Sequence, residues 1–138
     1  MRPEAWRRIA ISLAGPAANL VLYVLFILLA DLPVVTSNRS VFHVADTLAW
    51  ANGWMFVFNM MPAFPLDGGK ALEALLGKAV TFTMARVVVG VLGLLLAAYC
   101  AYLGLGGSTW MLILAFMLGL ENYLAIQSAS NPPWQRRN

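Results

Sequence analysis

One aspartate lies in a stretch of backbone that cannot form a regular helix. Asp67 follows Pro62 and Pro65 and is followed directly by Gly68 and Gly69. This segment ends a strongly apolar run, and at membrane depth charged groups and interrupted helices survive where protein or a water-filled cavity surrounds them. The segment therefore predicts a functional site centred on Asp67.

Several interpretations of Asp67 remain open from the residues alone. A carboxylate at this position could cap a following helix, and Asp-Gly-Gly is also a common turn sequence. Asn59 lies eight residues upstream, and the two prolines between favour extended backbone that could pair with an unwound peptide. The carboxylate could also bind a metal ion. A catalytic zinc site, however, needs three protein ligands and an open position.

The composition is that of an integral membrane protein. Of the 138 residues, 61% are hydrophobic and 11% charged, against about 45–50% and 25% in soluble domains. The net charge of +3 does not indicate a nucleic-acid partner, because the basic residues are scattered at segment ends. The single cysteine, Cys100, excludes an internal disulfide. Membrane lipid is the expected surrounding.

The hydrophobic pattern predicts an all-α membrane protein, with residues 1–138 forming a single polytopic domain. About four transmembrane helices are expected, because four apolar segments are long enough to span a bilayer. These spans cover residues 9–30, 41–61, 86–103 and 109–127. Between the second and third, residues 68–78 predict a short amphipathic helix along the membrane interface. The polar tail, residues 131–138, is expected to be loose.

The distribution of positive charge predicts the orientation. With four spans, eight of the nine Lys and Arg residues fall on one side of the membrane and Arg39 alone falls on the other. Basic residues accumulate in cytoplasmic loops. Both termini and the Asp67 segment are therefore expected to face the cytoplasm, most simply at the cell membrane.

Two motifs resemble those of a known family. The segment from Asn59 to Gly69 reads Asn-x-x-Pro-x-x-Pro-Leu-Asp-Gly-Gly and resembles the second signature of the site-2 proteases, which are intramembrane zinc metalloproteases. Residues 14–19, Ala-Gly-Pro-Ala-Ala-Asn, resemble the Ala-Gly-Pro-x-x-Asn opening of that family's preceding core helix. The resemblance covers roughly residues 5–80, and the last two spans carry no signature.

The resemblance implies a zinc cofactor and a transmembrane protein substrate. In that family a His-Glu-x-x-His helix supplies two ligands, so Asp67 would be the third. Asn59 and Pro65 would help to hold an unwound substrate segment, and the reaction is hydrolysis of a peptide bond in or near a transmembrane helix. Structural or packing roles are expected for Gly15, Pro16, Asn19, Pro62, Gly68 and Gly69.

The chain departs from the family pattern in its histidines. It contains no His-Glu-x-x-His, and His43 is its single histidine. We therefore expect a fragment or a short gene product, inactive alone, whose histidine ligands lie on an N-terminal fragment. A non-catalytic relative that binds membrane segments is the alternative. A small transporter component that uses Asp67 and the broken helix is another.

Other polar and small residues have simpler predicted roles. His43 is 24 residues from Asp67, about 36 Å if helical, and is expected to hydrogen-bond Asp46. Glu121 is either a buried functional carboxylate or the inner end of the last span. Small residues should allow close helix packing in spans one and three. They are Ala14, Gly15, Ala17 and Ala18 in span one, and Gly90, Gly93 and Ala97 in span three.

Overall fold

The computed structural model describes the backbone of residues 3–130 and the side chains of residues 6–130. The predicted loose tail lies outside the described residues. This part of the chain consists of helices, turns and loops without a strand, which confirms the all-α prediction. The helices are α1 (Pro3–Ala30), α2 (Pro33–Thr36), α3 (Arg39–Asn59), α4 (Asp67–Leu76), α5 (Phe82–Leu105) and α6 (Thr109–Ser130).

Three of these helices are long and apolar enough to cross a membrane. They are Trp6–Ala30 in α1, α5 and α6, with mean hydropathies of 2.2, 2.2 and 1.5. The protein is therefore a multi-pass membrane protein. Helix α3 has 21 residues, about 32 Å of helix, but its polar side chains lower its hydropathy and it is not one of the three. The fourth span stays a prediction.

The long helices pair as two hairpins. Helix α1 packs mainly on α3, and α5 packs mainly on α6. Helix α4 contacts both α1 and α5 and so connects the two hairpins. At its far end, Lys78 lies over the ring of Trp6, with Nζ 3.1 Å from the ring centroid. The segment that contains Asp67 therefore begins the helix that joins the two halves.

Small residues bring α5 and α6 together, as the sequence predicts for span three. The buried positions of α6 recur every three or four residues and are Ala115, Leu118, Asn122, Ala125 and Ala129. Opposite them, a Cβ added to Gly90 would lie 2.5 Å from Ile126, and one added to Gly104 would lie 2.6 Å from Leu112. The close approach therefore requires glycine at these two positions.

The corresponding prediction for α1 is wrong for its three alanines. Pro16 is almost completely buried, whereas Ala14, Ala17 and Ala18 are exposed within the described part of the chain. Gly15 contacts α4, as described below. The small face of α1 therefore does not pack against the other described helices along its length.

Substitution of Gly104 tests the α5–α6 packing. The new methyl group of Gly104→Ala would overlap the Leu112 side chain and crowd its backbone nitrogen, 3.0 Å away. We expect this overpacking to lower the free energy of unfolding by about 1–3 kcal/mol. Denaturant titration of helix content in detergent micelles measures it.

The matched control is Gly119→Ala, on the facing helix. Its added Cβ would lie 3.8 Å from the Cβ of Ala97, which is ordinary van der Waals contact. We expect Gly119→Ala to be neutral or slightly stabilising. Equal destabilisation by the two substitutions would contradict the packing argument.

Candidate functional site

The loop between α3 and α4 satisfies its backbone donors within the protein. Its amides form turns or bond to α6, and Pro62 and Pro65 have no N–H to donate. The donor–acceptor pairs are Met60 to Phe56 (3.0 Å), Met61 to Phe58 (3.1 Å), Ala63 to Met61 (2.9 Å), Phe64 to Asn122 Oδ1 (2.9 Å) and Leu66 to Ala63 (2.9 Å). The segment therefore forms successive turns rather than the extended strand that the prolines suggested. Because these N–H groups already have acceptors, residues 60–66 could pair with a peptide backbone only through their carbonyl oxygens.

Two glycines let the first turn of α4 lie directly on this loop. A Cβ on Gly68 would collide with the carbonyl of Met60 and lie 2.7 Å from the oxygen of Met61. A Cβ on Gly69 would lie 2.6 Å from the carbonyl carbon of Ala63. Both glycines are buried. Because neither residue has a side chain, the start of α4, and with it Asp67, packs directly against the loop backbone.

Asp67 is the first residue of α4, not its cap. The N-cap is Leu66, which makes no side-chain cap bond, so the helix-capping interpretation is wrong. Asp67 Oδ1 lies 3.2 Å from Lys70 Nζ one turn later, and the Asp67 side chain is 31% exposed. A carboxylate in the first turn is favoured by the helix dipole. Asp67 is therefore held in place but remains accessible.

The two sequence motifs meet at Asp67. The second carboxylate oxygen of Asp67, Oδ2, lies 3.2 Å from the position that a Cβ on Gly15 would occupy. Gly15 belongs to the first motif on α1, and Asp67 belongs to the second. Because Gly15 has no side chain, the carboxylate can approach the backbone of α1 closely.

The other residues predicted to form the site lie at varied depths around it. Asn59 is the last residue of α3 and is half-buried, whereas Pro62 and Pro65 are exposed. Asn19 is half-buried one turn after Gly15 on α1. No group of three or more His, Cys, Asp or Glu side chains that could hold a metal ion occurs within the described residues. Among these residues, the Asp67 carboxylate fits a metal site as one ligand, and the other ligands would have to come from elsewhere.

His43 lies apart from this site and bonds differently from the prediction. The Nε of Arg39 donates to His43 Nε2 over 3.4 Å. His43 is exposed near the start of α3, whereas Asp67 begins α4 after the far end of α3. The predicted His43–Asp46 hydrogen bond is wrong: the side-chain partner of the ring is Arg39, one turn earlier.

Asn122 is the residue of the site that sequence reasoning missed. It lies on α6, is completely buried, and bonds the backbone of Phe64 in the loop. Its Oδ1 accepts the N–H of Phe64 over 2.9 Å, and its Nδ2 donates to the carbonyl of Phe64 over 2.7 Å. The available signal was an amide on the apolar stripe of α6, one turn after Leu118.

Glu121 lines an open cleft beside the loop. It is exposed, and its position next to Asn122 turns it away from the buried stripe. The cleft has a volume of about 330 Å³ and lies beside Pro65. Its charged lining residues are Lys70, Glu73, Arg86 and Glu121.

Two of these lining residues form an ion pair. Arg86 Nε lies 3.3 Å from Glu73 Oε1 without hydrogen-bond geometry. Burial raises the pKa of the Glu73 carboxyl above its ordinary value, and the charges of Arg86 and Arg8 oppose that shift. The Arg86 guanidinium also lies 5.7 Å from the ring centroid of Phe64. Arg86 therefore links α5 to both α4 and the loop.

A comparison with family models agrees with the second of the two motifs. Residues 32–100, half of the chain, match Peptidase family M50. The chain belongs to this family. The match includes the Asp67 loop and confirms the resemblance to the site-2 proteases. No solved structure matches the chain.

Relatives in this family are named as zinc metalloproteases. "Putative zinc metalloprotease sll0528" of Synechocystis is 29% identical over 124 residues, which is 89% of this chain and 29% of the relative. "Zinc metalloprotease MJ0392" of Methanocaldococcus jannaschii is 28% identical over 75% of this chain and 30% of the relative. "Putative zinc metalloprotease Rip3" of Mycobacterium tuberculosis is 43% identical over 54% of this chain and 19% of the relative. The chain thus spans less than a third of the length of these relatives, and zinc is the metal expected from the family.

The raised pKa of Glu73 predicts a pH dependence of stability. The folded protein holds the Glu73 proton more tightly than the unfolded chain does. Protonated Glu73 therefore stabilises the folded state fully at a pH below 4.5, the ordinary pKa of the carboxyl. This stabilisation is lost as the pH rises through the higher pKa of the folded state. We expect thermal stability in detergent to fall over this window, and the fall to be smaller in Glu73→Gln.

Glu121→Gln is the matched control, because Glu121 lines the same cleft but is exposed. Its pH profile should follow that of the unsubstituted protein. A Glu73→Gln profile identical to that of the unsubstituted protein would show that burial of Glu73 does not affect folding.

Proposed function

We propose that this chain is part of a site-2-type intramembrane zinc metalloprotease, which hydrolyses peptide bonds in or near transmembrane segments. The observation that carries the proposal is the approach of the Asp67 carboxylate to Gly15, which joins the two family motifs in one place. The family match and the names of the relatives support the reaction class. The orientation proposed is with the termini and the Asp67 loop in the cytoplasm at the cell membrane, as the distribution of Lys and Arg predicts.

In this proposal Asp67 contributes one carboxylate ligand to the zinc site. Lys70 holds Oδ1, and the backbone of α1 at Gly15 lies beside Oδ2. When bound, zinc would supply a water of lowered pKa and polarise the scissile carbonyl. The two histidine ligands and the glutamate base would come from a His-Glu-x-x-His helix, which is absent from these 138 residues. We therefore propose that this chain alone is inactive.

The substrate proposed is an unwound transmembrane segment beside the loop. Asn59 and Pro65 flank the turns that precede Asp67, and Pro65 lines the cleft described above. The internal pairing of the loop amides leaves recognition to its carbonyl oxygens and side chains. In β-strand addition, by contrast, a peptide would pair with both the N–H and the C=O groups of an exposed strand.

The test uses the natural gene product in its native host, tagged at the C-terminus on the chromosome. Peptide mass spectrometry of the purified protein identifies its N-terminus, and elemental analysis measures zinc per chain. We expect a longer product that contains His-Glu-x-x-His and binds about one zinc, the stoichiometry of a catalytic site with three protein ligands. Asp67→Asn should lower zinc content and abolish cleavage of a transmembrane reporter, because it removes one of those ligands.

Asp46→Asn is the matched control, because Asp46 is a carboxylate on α3 and lies apart from the loop. It should retain zinc and cleavage. A natural product without the histidine motif and without zinc would contradict the protease proposal and favour the non-catalytic relative. Retention of zinc by Asp67→Asn would contradict the ligand role of Asp67.

A further inference from the structure

We propose that Asn122 is the positioning residue of the Asp67 loop. Its carboxamide holds the backbone of Phe64 and thereby fixes where Asp67 lies against α1. The effect on catalysis rests on the proposed function of Asp67 as a metal ligand. The effect on the position of Asp67 does not rest on that proposed function, because it follows from the hydrogen bonds and the packing alone.

The carboxamide pairs both backbone polar groups of Phe64. Oδ1 accepts the Phe64 N–H at 2.9 Å, and Nδ2 donates to the Phe64 carbonyl at 2.7 Å and to the carbonyl of Leu118 at 2.7 Å. The first two bonds reproduce the pair that an antiparallel neighbouring strand would make. Three of the four hydrogen bonds open to an asparagine side chain are made.

Burial makes these bonds necessary. Asn122 is 0% exposed and Phe64 is 7% exposed. The Phe64 ring packs in an apolar cluster with Val89 and Ala125. A buried peptide group without a partner costs more than the net gain of an ordinary hydrogen bond. Without the carboxamide, the loop would have to move toward water to satisfy Phe64.

Gly93 on α5 provides the space for the carboxamide. A Cβ added to Gly93 would collide with Oδ1, Cγ and Nδ2 of Asn122. The carboxamide therefore lies directly against the backbone of α5, and Leu118, one turn earlier on α6, is 1% exposed. This close packing leaves Asn122 little freedom to turn away from the loop. The position of the Asn122 carboxamide therefore depends on glycine at residue 93.

The connection from Phe64 to Asp67 is short and constrained. The N–H of Leu66 donates to the carbonyl of Ala63 over 2.9 Å, which closes a turn around Phe64. The backbone of Ala63 also lies against Gly69 in the first turn of α4. A displacement of Phe64 would therefore be transmitted to Asp67 rather than absorbed by a flexible linker.

Disulfide cross-linking can measure the position of Asp67 without any metal. In a Cys100→Ala background, the pair Gly15→Cys and Asp67→Cys reports on the loop, because Asp67 Oδ2 lies 3.2 Å from the Cβ position at residue 15. The pair Ala97→Cys and Gly119→Cys reports on the α5–α6 hairpin, since the corresponding Cβ positions are 3.8 Å apart. That separation is about the mean for disulfides. Each pair is oxidised in the full chain in detergent micelles.

We expect Asn122→Ala to slow cross-linking of the loop pair about tenfold or more relative to the hairpin pair, a factor equivalent to about 1.4 kcal/mol. Gly93→Ala should act in the same direction from the opposite side, because it displaces the carboxamide while Asn122 is unchanged. Asn52→Ala is the matched control. Asn52 also donates to the carbonyl four residues earlier, at 2.8 Å, but it is on α3.

Selective loss of the loop pair in Asn122→Ala or Gly93→Ala supports the proposal. If both variants affect the two pairs equally, or neither pair at all, Asn122 does not position the loop and the proposal is overturned. A tenfold effect in Asn52→Ala would also overturn it, because loss of any helical asparagine would then suffice. Since Asp67→Cys removes the proposed metal ligand, this result is independent of whether the protein binds zinc.

Discussion

The structure depends on hydrogen-bond partners for the N–H and C=O groups of one buried, non-helical residue, Phe64. Pro62 and Pro65 prevent the loop from continuing α3 as a helix, so Phe64 loses the partners that a helix would give it. Phe64 is nevertheless buried between helices, where an unpaired N–H or C=O is costly. Asn122 supplies both partners from α6. This interaction lets irregular backbone exist inside an apolar fold.

The two halves of the molecule have different tasks around this interaction. The α5–α6 hairpin carries neither of the two sequence motifs, yet it holds the loop through Asn122 and through Arg86, which lies over the Phe64 ring. The α1–α3 hairpin carries the first motif and presents Gly15 to the Asp67 carboxylate. The loop and α4 connect the two. The last two helices are therefore part of the site's framework rather than generic membrane anchors.

The sequence predicted the helical fold, and it indicated a candidate site at Asp67, because both have local signals. Long apolar runs indicate spanning helices, and the prolines and glycines around Asp67 indicate broken backbone. An amide on the apolar stripe of α6 singles out Asn122, but no local signal identifies its partner, since Phe64 lies 58 positions away in the sequence. The extended strand was wrong for a related reason: the prolines exclude a helix but do not choose between a strand and turns. That choice depended on the amide partners of residues 60–66.

Placement of a carboxylate by packing suits a ligand better than placement by capping. A capping aspartate uses its oxygens on the amides of its own helix, which leaves fewer lone pairs for a metal ion. Asp67 instead begins α4, where it makes one exposed contact with Lys70 and retains access to solvent. Gly68 and Gly69 provide the rigidity that a capping bond would otherwise give. The glycines of the motif thus restrict the position of Asp67 while its carboxylate stays accessible, which is the combination that its proposed role as a metal ligand requires.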